Sequence, residues 1–268
     1  MFARKKRGSG IKMPDLSIMK RMKENYEIPS RHFLTRRTPV IIRVDGRSFH
    51  TLTKKMEKPF DIPFASAMLY AGLKLCKEFN AVMGYWQSDE ISLLLLDDKK
   101  FTSQPFFDNE INKLVSTSAA VTSVSFNLIM RKIATFDSRA FNIPHAEISN
   151  YFLARQLDAV RNAKNSWSEY KLGNIKGMKT ARKILNGKNS AERIEITEEE
   201  TGLKFEDESQ YFRNGAEIFK VFENERSSYV VNYETPLYKD NKLHVRNIVK
   251  AYYENGDSDY IPTEYQEG

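Results

Sequence analysis

Two short runs of β character, VIIRVDG at 40–46 and VMGYWQSDEISLLLL at 82–96, both carry carboxylates at a break, and one helix-length stretch separates them. That order leaves the chain few folds. Val40 to Val44 is almost wholly apolar, as a strand buried on both faces must be, and Asp45-Gly46 stops it. Val82 to Trp86 and Ile91 to Leu96 flank a Gln87–Glu90 turn and read as a hairpin. Asp61 can cap a helix with Pro63 in its first turn, and Ile62, Ala65, Leu69, Leu73, Cys76 and Phe79 follow at helical spacing. A second helix is expected from Asp108 to about Lys132, on a stripe of Ile111, Leu114, Ser118, Val121 and Val124. A fourth strand is expected over Ala134 to Phe141, ended by Pro144. Strand, helix, hairpin, helix, strand is the order of ferredoxin-like folds: an α/β palm with an antiparallel sheet, as polymerases and nucleotide cyclases use.

The palm is expected to occupy 13–145, with a short helix near Leu16 to Tyr26 at its start. A long helix then runs from Ala146 to about Tyr170, with Leu153, Leu157, Val160, Lys164 and Trp167 on one stripe and Arg155, Asp158, Asn162 and Asn165 opposite. Beyond Gly173 the pattern is basic and helical through Lys176, Lys179, Arg182 and Lys183, and acid-rich from Glu195 to Glu200. Ser228 to Val231 and Leu237 to Val249 suggest late strands. Residues 146–253 therefore read as a mainly helical C-terminal region with late strands, suited to RNA, with Arg155, Asn162, Lys179 and Lys183 as candidate contacts.

The net charge of +7 fits a polyanionic partner. Residues 1–12 hold five bases and no acid, and residues 254–268 hold five acids and no base, so the body alone still carries that charge. Both ends read as flexible tails, one basic and one acidic. No apolar run approaches the roughly 18 residues of a spanning helix, and the N-terminus lacks the apolar core of a secretory signal. The single cysteine, Cys76, fits a reducing, cytoplasmic setting. Histidines at 32, 50, 145 and 244 do not have zinc-ligand spacing.

Asp-Gly after a strand, or Ser-Asp-Glu in a hairpin, is by itself ordinary turn chemistry. Placed one helix apart, they bring Asp45, Asp89 and Glu90 to one edge of a sheet, where like charges repel unless a cation lies between them. A two-metal site needs carboxylates that bridge ions about 3.5–4 Å apart. Asp45 and Asp89, with the Gly46 carbonyl, suit Mg²⁺, which takes oxygen ligands and substrate phosphates. The run Gly46-Arg47-Ser48-Phe49-His50 can turn amides toward a triphosphate, and Arg43 and Lys54 add positive charge. Walker and dinucleotide loops are absent, as is any Ser/His/Asp or Cys/His nucleophile.

On RVDGRSFH (43–50), QSDE (87–90), KLVS (113–116), FDSRAFNIP (136–144) and RQLDAVRNAKN (155–165), the chain resembles the tRNA-His guanylyltransferase family of 3′-to-5′ polymerases, with its tRNA-repair members. The resemblance covers about 13–220. It implies Asp45, Gly46 and Asp89 as ligands of two Mg²⁺ ions, with Glu90 supporting the hairpin. It implies nucleotide contacts from residues 45 to 50 and from Ser88, and triphosphate contacts from Lys54 and Lys113. Catalytic residues are then Asp45, Asp89 and Glu90. The implied substrates are tRNA and the nucleoside triphosphates GTP and ATP, and the implied assembly is a homotetramer. Val160-Arg161-Asn162 stands where the eukaryotic members carry a His-Ile-Asn motif, which brings the chain nearer the repair branch. Rival readings are a palm-type nucleotide cyclase and a non-catalytic RNA-binding module.

Overall fold

A computed structural model of the chain describes residues 17–223, 226–255, 258–259 and 261–266. The basic tail at 1–12 lies outside them. Strands β1 (Val40–Gly46), β2 (Met83–Gln87), β3 (Glu90–Leu95) and β4 (Phe136–Asn142) form an antiparallel sheet with helices α1 (Ile62–Glu78) and α2 (Ile111–Met130) between them. The spatial order β4-β1-β3-β2 is that of the ferredoxin-like palm. Two further strands, β5 (Ala216–Glu223) and β6 (Arg226–Asn232), add to the free edge of β2 and complete a six-stranded sheet.

The unbroken apolar character of β1 follows from what covers it. Val40, Ile42 and Val44 pack into one core with α1 and α2. Ile41 points to the opposite core, built with α3 (Ile148–Lys176) and α6 (His244–Glu254); α4 (Met178–Leu185) and α5 (Ser190–Thr201) lie between those two helices in sequence. The sheet is thus the middle of three layers.

Asp61 caps α1 as expected, accepting the Phe64 amide at 2.8 Å. The start of α2 differs. Asp108 has a left-handed φ of 59° and its carboxylate pairs with Arg36, so the helix begins only at Ile111. The expected stripe stays inside at Leu114 and Ser118 but not at Val124, which is exposed, while Thr122 and Ser125 are buried in its place. Ser118 and Thr122 donate to the carbonyls four residues back at 2.7 and 2.8 Å, which satisfies their hydroxyls within the helix. On α3 the buried line is Phe152, Gln156, Ala159, Ala163 and Trp167, and Leu157 faces out. Gln156 is tolerated because its amide donates to the Pro236 carbonyl and its oxygen accepts the Tyr238 amide, at 2.8 and 2.7 Å.

The C-terminal region does not stand apart from the palm, since β5 and β6 extend the palm's own sheet. Leu237 to Val249 is not a strand: Val245, Val249 and Tyr253 recur every four residues and bury one face of α6. The acidic end is also held where it is described. Glu254 closes α6, Asp259 accepts the Phe101 amide at 2.8 Å, and the Tyr265 ring stacks on Tyr253 at 5.6 Å. Tyr265 supplies the apolar anchor that a reading by charge overlooks.

Candidate active site

The end of β1 is the site's foundation. Asp45 lies in register with Glu90 on β3 and with Asp137 on β4. The hairpin turn bends through Ser88, whose φ is 54°. It is tied to β1 by the Gly46 amide, which donates to the Asp89 carbonyl at 3.0 Å, and to β2 by the Trp86 indole, which donates to the Ser88 carbonyl at 2.7 Å. These bonds bring the two sequence motifs together. A Cβ at Gly46 would lie 2.4 Å from the Phe49 ring, so glycine is required there by packing. Phe49 itself packs edge-on to Phe64 and at a tilt against Phe126 and Phe136, and is buried. Its ring is thus committed to the core, which leaves its backbone for the expected nucleotide contact. The amides of Phe49 and His50 open the short helix Phe49–Leu52 and have no carbonyl of their own helix to bind, which leaves them for an acceptor.

Burial pushes the Asp89 carboxyl above its usual range, and repulsion from Asp45 pushes it further. Its own amide and the Ser88 hydroxyl, 3.2 Å away, offset part of this. Glu90 is engaged elsewhere. Arg155 grips it through Nε at 2.7 Å and a terminal nitrogen at 2.6 Å, and Arg155 also reaches Asp158 at 3.4 Å. Arg155 therefore holds the hairpin while it also lines a polar cleft beside it. Arg43 Nε stands 4.0 Å from Glu90 and, among the described residues, has no hydrogen-bond partner although it is buried. No three His, Cys, Asp or Glu side chains among the described residues converge as a ready metal cage. The fit to a cation rests on the Asp45–Asp89 pair and the neighbouring Gly46 backbone.

Two clefts meet at this hairpin. The first, the aromatic cleft, measures about 380 Å³ and has Phe60, Trp86 and Tyr211 in its walls, with His50, Lys58, Glu57 and Asp61 beside them. The second, about 370 Å³, is polar and holds Arg43, Asp45, Tyr85, Glu90, Arg155 and Asp158. Gln87, Ser88, Asp89 and Asn162 border both. Of the expected nucleotide contacts, Arg47 and Lys54 are exposed nearby but line neither cleft. Lys113 sits at the start of α2, 3.6 Å from Glu110. The 17 residues of α2 that follow it, about 26 Å of helix, separate it from the end of β4 that pairs with Gly46. Lys179 and Lys183 are exposed on α4 and are not brought to the hairpin. Lys58, Phe60 and Tyr211 were not singled out from the sequence, because only tertiary packing brings 58–60 against 211. Asp158 had a signal, its three-residue spacing from Arg155.

A family model described as tRNAHis guanylyltransferase matches residues 19–144. The tRNA(His) guanylyltransferase of Debaryomyces hansenii is 30% identical over 213 residues, covering 73% of this chain and 78% of that protein. Two solved structures of a bacterial tRNA(His) guanylyltransferase-like protein superpose well. The one in complex with ATP gives a TM-score of 0.78 at 35% identity, over 88% of this chain and 100% of that one. The one in complex with GTP gives 0.70 at 33% identity, over 87% and 98%.

Proposed function

The chain belongs to the tRNA(His) guanylyltransferase family of nucleotidyltransferases, and from that premise we propose that its acidic hairpin extends tRNA 5′ ends in the 3′-to-5′ direction. One observation carries the assignment of the site: Asp89 is forced against Asp45 at the junction of two clefts, at an energetic cost that a bound cation removes. Asp45, Asp89 and the Gly46 carbonyl are the proposed holders of Mg²⁺. Bound there, Mg²⁺ would supply charge to offset the pyrophosphate that leaves in the activation step and would favour ionisation of the 3′-hydroxyl that attacks in the second.

The residues divide the remaining work. Phe60 and Tyr211 offer partly exposed rings for a nucleotide base, over a buried Trp86, with His50 and Lys58 placed to meet its phosphates. Arg43 lines the polar cleft and brings it a guanidinium for the RNA 5′ phosphate. Arg155 holds Glu90 in place, so that the cleft presents Asp45 and Asp89 without a third mobile carboxylate. In the proposed sequence the RNA 5′ phosphate is first activated by a nucleoside triphosphate such as ATP, with release of pyrophosphate. The 3′-hydroxyl of an incoming nucleotide, typically GTP, then attacks the activated 5′ phosphorus and expels the nucleoside monophosphate.

Family resemblance supports a homotetramer, and the single buried Cys76 accords with a cytoplasmic setting. No helix among the described residues is long and apolar enough to cross a membrane. The test is to incubate the protein and Mg²⁺ with 5′-truncated and intact tRNAs and each triphosphate in turn. Extension at the 5′ end is expected. A 3′-deoxynucleotide should fail for want of its nucleophile, and blocking the RNA's 3′ end should not matter. Growth at the 3′ end, or a cyclic nucleotide made without RNA, overturns the proposal.

A further inference from the structure

Three segments that shape the two clefts meet at one carbonyl. Asn214 closes the short helix Gln210–Asn214, whose Tyr211 and Phe212 wall the aromatic cleft. Its carbonyl accepts the Tyr85 hydroxyl at 2.8 Å and the Gln156 amide at 3.3 Å. Tyr85 walls the polar cleft from β2, and Gln156 follows Arg155 on α3, the helix that reaches both clefts. Gly215 comes next, with a φ of 79°, and a Cβ there would lie 2.5 Å from the Tyr85 hydroxyl. Only glycine allows this approach. Gln156 is 2% exposed and has a partner for each polar group. Its amide also donates to the Pro236 carbonyl at 2.8 Å, and its oxygen accepts the Tyr238 amide at 2.7 Å. Asn214 in turn donates to the Thr235 carbonyl at 3.0 Å.

We infer that Gln156 is a positioning residue that fixes one cleft relative to the other, and so aligns the two reactants; this rests on the 5′-extension reading above. The residues buried beside it on α3, Phe152, Ala159, Ala163 and Trp167, are apolar, and filling the core asks for nothing more at this position. Gln156 instead ties α3 to Asn214 and to residues 235–238, a stretch outside any helix or strand. Apolar contact lets packed elements slide, whereas hydrogen bonds set both a distance and a direction. A reaction between two separately held reactants is sensitive to that distance, since a misplacement of about 1 Å costs roughly 10²-fold in rate. Each cleft keeps its own lining when the tie is cut. The loss should therefore appear in turnover and not in binding.

The experiment uses tRNA bearing a 5′-triphosphate, so that only transfer is measured: the 3′-hydroxyl of GTP attacks the α phosphorus and pyrophosphate leaves. Wild-type protein is compared with Gln156→Met and Gln156→Glu. Gln156→Met fills similar space without the bonds and should lower kcat at least about tenfold, with the Kd values for GTP and for RNA unchanged. Gln156→Glu supplies a rescue. Burial raises the pKa of a carboxyl placed there, and its protonated form can donate to the Pro236 carbonyl and accept from Tyr238 as the amide does. Its kcat relative to wild type should climb as pH is lowered from about 9 to about 6, while that of Gln156→Met stays low. Taking the ratio removes the titration of Glu217, His244, Tyr85 and Tyr238, which both proteins share. An unchanged kcat in Gln156→Met overturns the inference, as does a kcat that falls in step with both affinities and with the folded fraction. Should Gln156→Met not fold, a pH-independent ratio for Gln156→Glu overturns it instead. If the wild-type protein adds no 5′ nucleotide, the reading beneath it fails first.

Discussion

Replacing Arg155 with methionine tests how the hairpin is held. Arg155 and Glu90 share two short charge-assisted bonds, and their side chains are only 22% and 17% exposed. Breaking a fully buried pair by removing one partner costs about 3–5 kcal/mol, and losing an exposed pair about 0.2–1 kcal/mol. This pair lies nearer the buried limit, but Arg43, 4.0 Å away, can take up part of the charge left on Glu90. Arg155→Met should therefore cost about 2–3 kcal/mol, read as a urea midpoint lowered by roughly 1 M. Glu90→Gln with Arg155→Met removes both charges and should recover most of that loss. In the single variant the freed Glu90 stands in register with Asp45 and adds to the charge around Asp89, so kcat should fall at least about tenfold with nucleotide KM little changed. A loss below about 1 kcal/mol, or a double variant no more stable than the single one, refutes the argument that Arg155 holds Glu90.

Two further perturbations follow. Gly46→Ala drives a Cβ into the Phe49 ring and should cost about 1–3 kcal/mol, with nucleotide binding weakened because the ring anchors the Ser48–His50 backbone; an unchanged melting curve counts against it. Folded Asp89 holds its proton more tightly than the unfolded chain does, so its contribution to stability falls as pH rises from the ordinary aspartate range through its raised value. Asp89→Asn should remove that fall, making the variant relatively more stable at neutral pH. It should also abolish turnover and lose the thermal stabilisation that Mg²⁺ gives the wild-type protein; retained Mg²⁺ stabilisation counts against the assignment.

Much of the palm was readable because its signals are local. Asp61, the apolar β1 and the Ser88–Asp89 turn each announce themselves within a few residues, and the split order of elements fixes how the strands neighbour one another. The later half was less legible for identifiable reasons. Strand β5, AEIFKVFE, alternates weakly because both of its faces are partly covered, and its charged Glu217 is buried, satisfied by Tyr238, His244 and Asn232. A buried carboxylate with three partners looks, in sequence, like a surface residue. Arg155 misled in the same way: three-residue spacing to Asp158 marks a polar helix face, and only the fold shows that the face meets Glu90. Lys113 was identified by motif alone, and no local pattern places a helix start at one end of the sheet or the other.

The position of Glu217 bears on the chemistry as well as the fold. β5 pairs with β2, so Glu217 lies in register with Tyr85, and Tyr85 lines the polar cleft while donating to the Asn214 carbonyl at 2.8 Å. One wall of that cleft is therefore fixed by a strand that a bare four-stranded palm lacks. The other is fixed by α3 through Arg155 and Ala159. In the proposed reaction two reactants meet at Asp45 and Asp89 from different sides of one hairpin, an activated RNA end and a nucleotide bringing its 3′-hydroxyl. The added strand and the long helix supply the second side. The elements beyond the palm are on this argument tied to both clefts: α3 with Tyr211 and Phe212 closes the aromatic one, and α3 with Tyr85, held through Asn214, closes the polar one, so a palm closed only by α1 and α2 would have neither complete.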